Sequence, residues 1–383
     1  MDRSLPAALP QFPIPEGSIP EVSIIVPARN EKARLGDCLA SLTAQTGVAF
    51  EIIVVDDFST DRTREIAQSF AGVRVISPEP LPEDWTGKNW TGKNNAAIAG
   101  AKEARAQWLL FTDADTVHLP GSLARALAEA EDESKNERAD LLSYSPEQVV
   151  VTFAERAVMP VIFAELAAQY PPQKVREQSS GIVAANGQYI LVRRAAYDAV
   201  GGHAAVATEI LEDVALARLF RNAGKRVYFR YGGDAVRTRM YRNWAQLREG
   251  WTKNLALLFP QPGRLALQSL FLWFMAWSTL GVAVSGAASR HLVRIGFAAL
   301  WLLVYRRIRA AHFATANNLM AIAFGLPMFA YLLLRSRKAH ANGQVSWKGR
   351  AYRTGAPGKS TPAETQAVKP IPRTENPELR TES

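Results

Sequence analysis

The alternation of short apolar segments with helix-forming segments is the feature that most constrains the fold of this 383-residue chain. Leu35, Leu39 and Leu42 share one helical face, and the segment 122–130 is rich in strong helix formers. Short buried strands separated by helices predict an α/β fold with a mostly parallel sheet covered on both faces. The strand candidates are Val22–Pro27, Ile52–Val55, Val73–Ile76, Trp108–Phe111 and Leu141–Ser143.

Two long runs in the C-terminal third contain no formally charged residue. They cover the 25 residues Leu265–Ser289 and the 22 residues Phe313–Leu334, and each is long enough to cross a membrane with some tilt. Between them, Ile295–Tyr305 is apolar but short and is flanked by arginines, which predicts either an interfacial segment or a third span. A buried helix of a soluble protein is the alternative for the two long runs.

The net charge of +9 belongs to the C-terminal third of the chain. Of the 45 Lys and Arg residues, 15 lie in the segments 290–312 and 335–383, which leaves 30 basic against 32 acidic residues elsewhere. Basic residues beside apolar runs fit an anionic membrane surface, whereas a nucleic-acid partner would require them on the folded domain. The single cysteine, Cys38, excludes an internal disulfide and allows a reducing compartment.

These patterns divide the chain into four parts. Residues 1–21 form an extended, proline-rich lead-in, 22–258 an α/β domain, and 265–334 a membrane region. Residues 335–383 form a basic, largely disordered tail that includes the segment Trp347-Lys348-Gly349-Arg350. Two full spans would place this tail and the α/β domain on the same side, and the excess of basic residues there predicts an inner-membrane protein with a cytoplasmic α/β domain.

Polar loops follow the first two strand candidates. These loops are Pro27-Ala28-Arg29-Asn30-Glu31 and Asp56-Asp57-Phe58-Ser59-Thr60-Asp61. Open parallel sheets bind ligands at the carboxyl ends of their strands, so both loops are candidates for a binding site. Asp56 and Asp57 point to opposite faces, which predicts that one faces the ligand and the other supports the loop. Turn and cap residues would explain either loop alone.

Two more carboxylates follow the fourth strand candidate, in the triplet Asp113-Ala114-Asp115. Carboxylates at positions i and i+2 can hold one hard divalent cation, Mn²⁺ or Mg²⁺, which would then bridge to a diphosphate. Isolated triplets of this kind are usually solvated turns. The position of this one after a buried strand, in series with two similar loops, favours a metal site.

A short tandem repeat, Thr86-Gly87-Lys88-Asn89 and Thr91-Gly92-Lys93-Asn94, precedes that strand. It lacks the spacing of a P-loop. Either lysine can contact a diphosphate as a point charge beside a helix N-terminus, and a solvated loop lysine is the alternative for at least one of them.

Asp213 is the candidate general base. It opens a helix with Leu216, Leu219 and Phe220 behind it, so its carboxylate has a fixed backbone. The alternative is that Glu212 and Asp213 only complement the helix dipole.

The ordered set PARNE, VVDDFSTD, DAD, NGQ, GGH and ILEDV resembles the family 2 glycosyltransferases of the GT-A fold over about Val22–Leu258. The resemblance is strongest to membrane-anchored carotenoid-acid and hopanoid-associated glycosyltransferases, and more distant to ceramide glucosyltransferase. It implies that Ala28, Glu31 and Asp57 hold the nucleotide base and ribose, and that Lys88 or Lys93 lies near the nucleotide. It also implies that Asp113 and Asp115 hold the metal and diphosphate, and that Asp213 deprotonates the acceptor. Gln246, Arg248 and Trp251 do not have the QxxRW spacing, so processive polymer synthesis is not expected.

The predicted function is inverting, metal-dependent transfer of one sugar from a nucleoside diphosphate sugar, by resemblance a UDP-sugar, to a lipid or membrane-resident acceptor. The apolar segment Phe153–Tyr170, broken at Pro160, is expected to pack against the membrane or a lipid tail; burial under the sheet is the alternative. A sugar nucleotidyltransferase is a rival, but it would carry a glycine-rich phosphate loop where Pro27–Asn30 stands. A non-catalytic membrane subunit that binds nucleotide sugars is the second rival.

Overall fold

The computed structural model describes residues 12–15, 17–81, 92–132, 138–285, 290–343, 345–347 and 350–352. All five predicted strands are present, with ends that differ by at most two residues from the prediction. The strands are β1 (Val22–Ala28), β2 (Phe50–Asp56), β3 (Val73–Ile76), β4 (Trp108–Phe111), β5 (Thr116–His118), β6 (Leu141–Ser145), β7 (Glu147–Gln148), β8 (Ile190–Arg193), β9 (Val227–Tyr231), β10 (Val236–Thr238), β11 (Val345–Trp347) and β12 (Arg350–Tyr352).

Seven of these strands form the central sheet, in the order β3-β2-β1-β4-β8-β6-β9. Strands β1 to β4 pair in parallel, as do β6 and β9, and only β8 runs antiparallel to both of its neighbours. The predicted, mostly parallel GT-A-like α/β fold is therefore confirmed. A smaller sheet, β5-β10-β7, lies beyond the ends of β4 and β6.

Thirteen α-helices are present among the described residues: α1 (Leu35–Thr43), α2 (Thr63–Gln68), α3 (Gly92–Glu103), α4 (Ser122–Glu131), α5 (Phe153–Gln169), α6 (Pro172–Arg176), α7 (Arg194–Ala199), α8 (Glu212–Asn222), α9 (Trp244–Leu258), α10 (Pro262–Ser285), α11 (Arg290–Arg309), α12 (Thr315–Met320) and α13 (Leu326–Ala341). A 3₁₀ helix, Gly202–Val206, precedes α8, and a π-helical turn, Ala321–Gly325, joins α12 to α13.

Both faces of the central sheet are buried under helices. Alternate residues of a strand point to opposite faces, so Ile24 of β1 packs with α1 and α4, whereas Ile25 packs with α3 and α8. The α1 residues in the first core include Leu35, Leu39 and Leu42, the face that the sequence predicts. This two-sided packing fixes the carboxyl ends of β1, β2 and β4 side by side at one edge.

A third core joins α5 and α9 to the C-terminal helices. The predicted break at Pro160 is wrong, because α5 continues through this residue. A proline inside a helix costs about 3 kcal/mol, and the burial of Val158, Met159 and Val161 around it offsets that cost. Helix α5 therefore lies against the C-terminal helices and not beneath the catalytic sheet.

The contact between α5 and the π-helical turn depends on a glycine. A Cβ atom added at Gly325 would lie 2.1 Å from the Ala157 carbonyl oxygen, so no larger residue fits between the two backbones. The C-terminal helices are thus packed tightly onto the α/β domain.

One helical stretch among the described residues, Thr315–Ala341, is long and apolar enough to cross a membrane, and half of its most apolar window is buried in the protein. It continues past the predicted domain boundary at residue 335. The first predicted span corresponds to α10, whose Leu267 and Phe271 are 70% and 62% exposed. Membrane insertion of either helix stays a prediction, and the predicted disorder after about residue 353 lies outside the described residues.

Candidate active site

The predicted nucleotide-binding residues that the structure describes line one cavity of about 670 Å³ at the carboxyl edge of the sheet. Ala28 and Asp57 lie at the ends of β1 and β2, where the Asp57 amide donates to the Ala28 carbonyl oxygen at 2.9 Å. The Arg29 guanidinium is 3.6 Å from the Asp57 carboxylate, and Glu31 lines the same wall. Asp56 faces away from the cavity, where it accepts from the Ser59 amide.

Asp113 and Asp115 lie on the same edge, directly after β4 and Thr112. Lys93 Nζ is 2.8 Å from Asp113 Oδ1, and Arg34 Nη1 is 3.3 Å from Asp115 Oδ2. Each carboxylate of the triplet therefore has a basic partner. Lys93 lies at the N-terminus of α3, as the prediction for a nucleotide-side lysine requires, whereas Lys88 lies outside the described residues.

Lys93 also reaches across the cavity to the predicted catalytic segment. Its Nζ is 2.9 Å from Glu212 Oε1 as well as close to Asp113. Burial lowers the pKa of Lys93, but Asp113 and Glu212 outweigh that effect and raise the pKa well above its ordinary value. The pKa of Glu212 is correspondingly lowered, because Lys93 outweighs the effect of its burial. The lysine and the glutamate form a partly buried ion pair between the two sides of the site.

Asp213 is held by two backbone amides. Its Oδ2 accepts from the Gly187 amide at 2.9 Å, and its Oδ1 accepts from the Val214 amide at 2.8 Å. Burial, and then the negative charge of Glu212, raise the pKa of Asp213 to about 6. A carboxylate with a fixed orientation and a raised pKa has the properties of a general base near neutral pH.

Gly187 lies close to the charged groups of the site. A Cβ atom at this position would lie 2.9 Å from Lys93 Nζ and 3.6 Å from Asp213 Oδ2. The absence of a side chain at Gly187 lets the loop before β8 approach both charges.

The opposite wall of the cavity is mostly apolar. It combines α5, the C-terminal half of α9 and the turn between α11 and α12. His312 in that turn stacks on Tyr231 of β9, with ring centroids 4.1 Å apart and an angle of 8° between the rings. The residues of this wall include Phe163, Leu166, Tyr170, Trp251, Leu258 and His312.

Several site residues were not identified from the sequence. Arg34 and His312 carry no motif that distinguishes them from surface residues, and Lys253 was noted only as part of the segment Glu249–Asn254 that resembles the lipid-acting relatives. Lys253 of α9 faces the charges around Glu212, and burial lowers its pKa. Glu212 was identified only as a possible helix-dipole residue. By contrast, His203 of the GGH motif is buried in the 3₁₀ helix before α8, where its Nδ1 lies 3.0 Å from the buried Tyr197 hydroxyl.

Asp113 and Asp115 supply hard oxygen ligands at the cavity wall, which suits Mn²⁺ or Mg²⁺. Among the described residues, no group of three or more His, Cys, Asp or Glu side chains has the arrangement of a metal site. The two carboxylates therefore fit a cation whose remaining ligands come from a diphosphate and water.

Comparison with known proteins identifies the domain that carries these residues. Residues 23–201 match the family model described as glycosyl transferase family 2. The 4,4'-diaponeurosporenoate glycosyltransferase of Staphylococcus aureus strain USA300 is 28% identical over 346 residues, which cover 86% of this chain and 88% of the relative. The protein of the same name from strain MRSA252 is 28% identical over 348 residues, with the same coverage of both chains.

Among solved structures, a mannosyltransferase from Pyrobaculum calidifontis aligns with a TM-score of 0.45 at 14% identity, over 84% of this chain and 87% of that one. Glucosyl-3-phosphoglycerate synthase from Mycobacterium tuberculosis aligns with a TM-score of 0.40 at 18% identity, over 62% and 78% of the two chains.

The family match and the named relatives support neither a nucleotidyltransferase nor a non-catalytic subunit. The chain carries a glycosyl transferase family 2 domain at residues 23–201 and is similar over most of its length to named glycosyltransferases.

Proposed function

We propose that this glycosyltransferase transfers one sugar, with inversion, from a nucleoside diphosphate sugar to an acceptor resident in the membrane. The observation that carries the proposal is the asymmetry of the cavity. One wall presents Asp57, Asp113 and Asp115, and the opposite wall is apolar, with Asp213 between them. A charged donor and a hydrophobic acceptor can therefore approach the same base from two sides.

The donor side fits a nucleotide diphosphate. In the proposed arrangement, Ala28, Glu31 and Asp57 contact the base and ribose, with UDP as the nucleotide that the family resemblance favours. Asp113 and Asp115 would hold Mn²⁺ or Mg²⁺, which when bound neutralises charge on the leaving diphosphate. Lys93 is a second positive charge at the same place, on a backbone fixed by α3.

Asp213 acts on the acceptor. With a hydroxyl acceptor, one carboxylate oxygen of Asp213 removes the hydroxyl proton as the acceptor oxygen attacks the sugar carbon and the nucleoside diphosphate leaves. No covalent enzyme intermediate is needed. The amides of Gly187 and Val214 hold the carboxylate in place during this step. The opposite charges of Lys93 and Glu212 balance each other beside Asp213, so Asp213 is the group that gains the proton.

The acceptor is proposed to be a lipid. The apolar wall, made by Phe163, Leu166 and Trp251, provides a surface that water solvates poorly. The named substrate of the relatives, 4,4'-diaponeurosporenoate, supports a hydrophobic acceptor, and a carboxyl group is the alternative acceptor that this name suggests. The apolar stretch Thr315–Ala341 supports a position at the inner membrane, with the catalytic domain in the cytoplasm.

Substitution of Asp213 by Asn tests the proposal. The variant keeps one of the two backbone hydrogen bonds, at its amide oxygen, but cannot accept a proton, so transfer to a hydroxyl acceptor should fall by about 10²- to 10⁴-fold. The measurement is nucleotide release from a panel of sugar nucleotides by the full-length protein with a membrane lipid extract. Binding of UDP should not change.

Asp198→Asn, on the surface of α7, is the matched control. Near-normal turnover of Asp213→Asn would contradict the role of this residue as base. Absence of nucleotide release from every donor by the wild type would contradict the function.

A further inference from the structure

Two buried glutamines lie in the cavity beside Asp115. Gln148 of β7 and Gln188, directly after Gly187, are 7% and 4% exposed, and both line the cavity. Neither Oε1 atom has a hydrogen-bond partner among the residues that the structure describes. A buried acceptor without a partner costs about 1–3 kcal/mol, so it is a place where a ligand or water is expected to donate.

The orientation of both amides is fixed by their nitrogen atoms. Gln148 Nε2 donates to the Pro146 carbonyl oxygen at 3.2 Å, and a carbonyl can only accept. Thr238 Oγ1 donates its hydrogen to the Asp115 carbonyl oxygen at 3.1 Å, so it accepts from Gln188 Nε2 at 3.3 Å. In both side chains the atom without a hydrogen-bond partner among the described residues is therefore the acceptor oxygen, not the amide nitrogen.

Both glutamines lie between the proposed donor and base positions. Thr238 of β10 is the register partner of Gln148, and its hydroxyl contacts both Gln188 and Asp115. Gly187, the neighbour of Gln188, donates to Asp213. In the proposed function the diphosphate lies at Asp113 and Asp115, so the sugar attached to it extends toward Asp213 across these two amides.

We propose that Gln148 and Gln188 form the subsite for the transferred sugar, and that they select a neutral sugar that donates hydroxyl hydrogens. This inference rests on the proposed function and adds the class of sugar to it. An amide oxygen attracts a hydroxyl group, whereas it repels the carboxylate of a uronic acid. The carboxylate of Asp213 in the same cavity adds to that repulsion, whereas Glu31 and Asp115 are paired with Arg34.

Equilibrium binding to the full-length protein in detergent with Mn²⁺ tests the subsite. The probes are UDP, UDP-glucose and UDP-glucuronate, with GDP and GDP-mannose as a second nucleotide pair. The wild type should bind UDP-glucose about tenfold more tightly than UDP-glucuronate. Gln148→Leu and Gln188→Leu should each weaken UDP-glucose binding by about three- to tenfold, with UDP binding unchanged.

Two further variants keep this test specific. Gln188→Glu retains an acceptor oxygen, so it should bind UDP-glucose better than Gln188→Leu does, and it should reject UDP-glucuronate more strongly. Gln178→Leu, on the surface outside the cavity, is the matched control and should change nothing. Unchanged UDP binding in every variant shows that the fold is intact.

The outcomes separate this inference from the proposed function. The proposed subsite is contradicted, and the proposed function stands, if the leucine variants bind UDP-glucose as tightly as the wild type does. The same holds if the wild type binds UDP-glucuronate as tightly as UDP-glucose. If the wild type binds none of the five nucleotides, both are overturned.

Discussion

The two walls of the cavity, here called the donor wall and the acceptor wall after the ligands that the proposed function assigns to them, are built in different ways. The donor wall comes from the ends of β1, β2 and β4, so its side chains follow strands that pair directly in one sheet. The acceptor wall comes from α5, α9 and the turn between α11 and α12, which packing alone brings together. The donor wall carries paired charges, and the acceptor wall is aromatic and aliphatic. A fixed sheet edge suits a constant ligand such as a diphosphate, and a wall of packed helices allows the acceptor pocket to vary.

Removal of divalent metal should have the largest effect and should act on the donor wall alone. We expect EDTA to reduce transfer by more than about 10³-fold, because charge on the leaving diphosphate is left unneutralised, and Mn²⁺ or Mg²⁺ to restore it. The measurement is nucleotide release with and without added metal. Asp113→Asn should abolish the rescue, whereas Asp56→Asn, which faces away from the cavity, should leave it intact. Full activity in chelator would contradict a metal at Asp113 and Asp115.

A pH profile sharpens the comparison, because Asp213 stands between the walls. Its pKa is raised to about 6, and the base must be deprotonated, so kcat/KM with a hydroxyl acceptor should be level at neutral pH. Below pH 6 it should fall by about tenfold per unit as Asp213 becomes protonated.

Lys93→Met should move this acidic limb to higher pH by roughly one unit, since the positive charge that lowers the pKa of Asp213 is lost. Lys102→Met, exposed in the last turn of the same helix, should leave the limb in place. A profile without an acidic limb would show that proton transfer to Asp213 does not limit the reaction, as expected for an acceptor that is already a carboxylate.

Truncation of His312 should have the smallest effect and should act on the acceptor wall alone. An aromatic pair is worth about 0.5–1.5 kcal/mol, so His312→Ala should raise the KM for the lipid acceptor by about three- to tenfold. The KM for the sugar nucleotide should not change. His291→Ala, at the other end of α11, is the matched control. An increase in the KM for the sugar nucleotide alone would contradict the assignment of His312 to the acceptor wall.

The sequence predicted the donor wall well because its information is local. A strand that ends in a carboxylate keeps that order in the fold, and parallel pairing brings successive strand ends to one edge. The positions of Asp57, Asp113 and Asp115 therefore follow from the strand pattern of the chain. Asp213 was found for the same reason, since it opens a helix whose buried face is visible in the sequence.

The partners of these carboxylates could not be predicted in the same way. Lys93 and Lys88 stand in nearly identical sequence, and only the structure puts Lys93 within 2.9 Å of both Asp113 and Glu212. Arg34 contacts Asp115, which is 81 residues away in the sequence. The hydrophobic periodicity of the sequence does not predict a contact between residues so far apart. Which charges pair depends on how α1 and α3 pack on the sheet.

By itself, the sequence determined the strand order along the chain, the carboxylates at the strand ends and the apolar character of the C-terminal third. The tertiary structure decided which faces of α5 and α9 line the cavity, that α5 continues through Pro160, and that His312 closes the wall against Tyr231. The physical reason is the range of the forces involved. Backbone propensity and hydrophobic period act over a few residues, whereas side-chain packing selects contacts between segments that are distant in the chain.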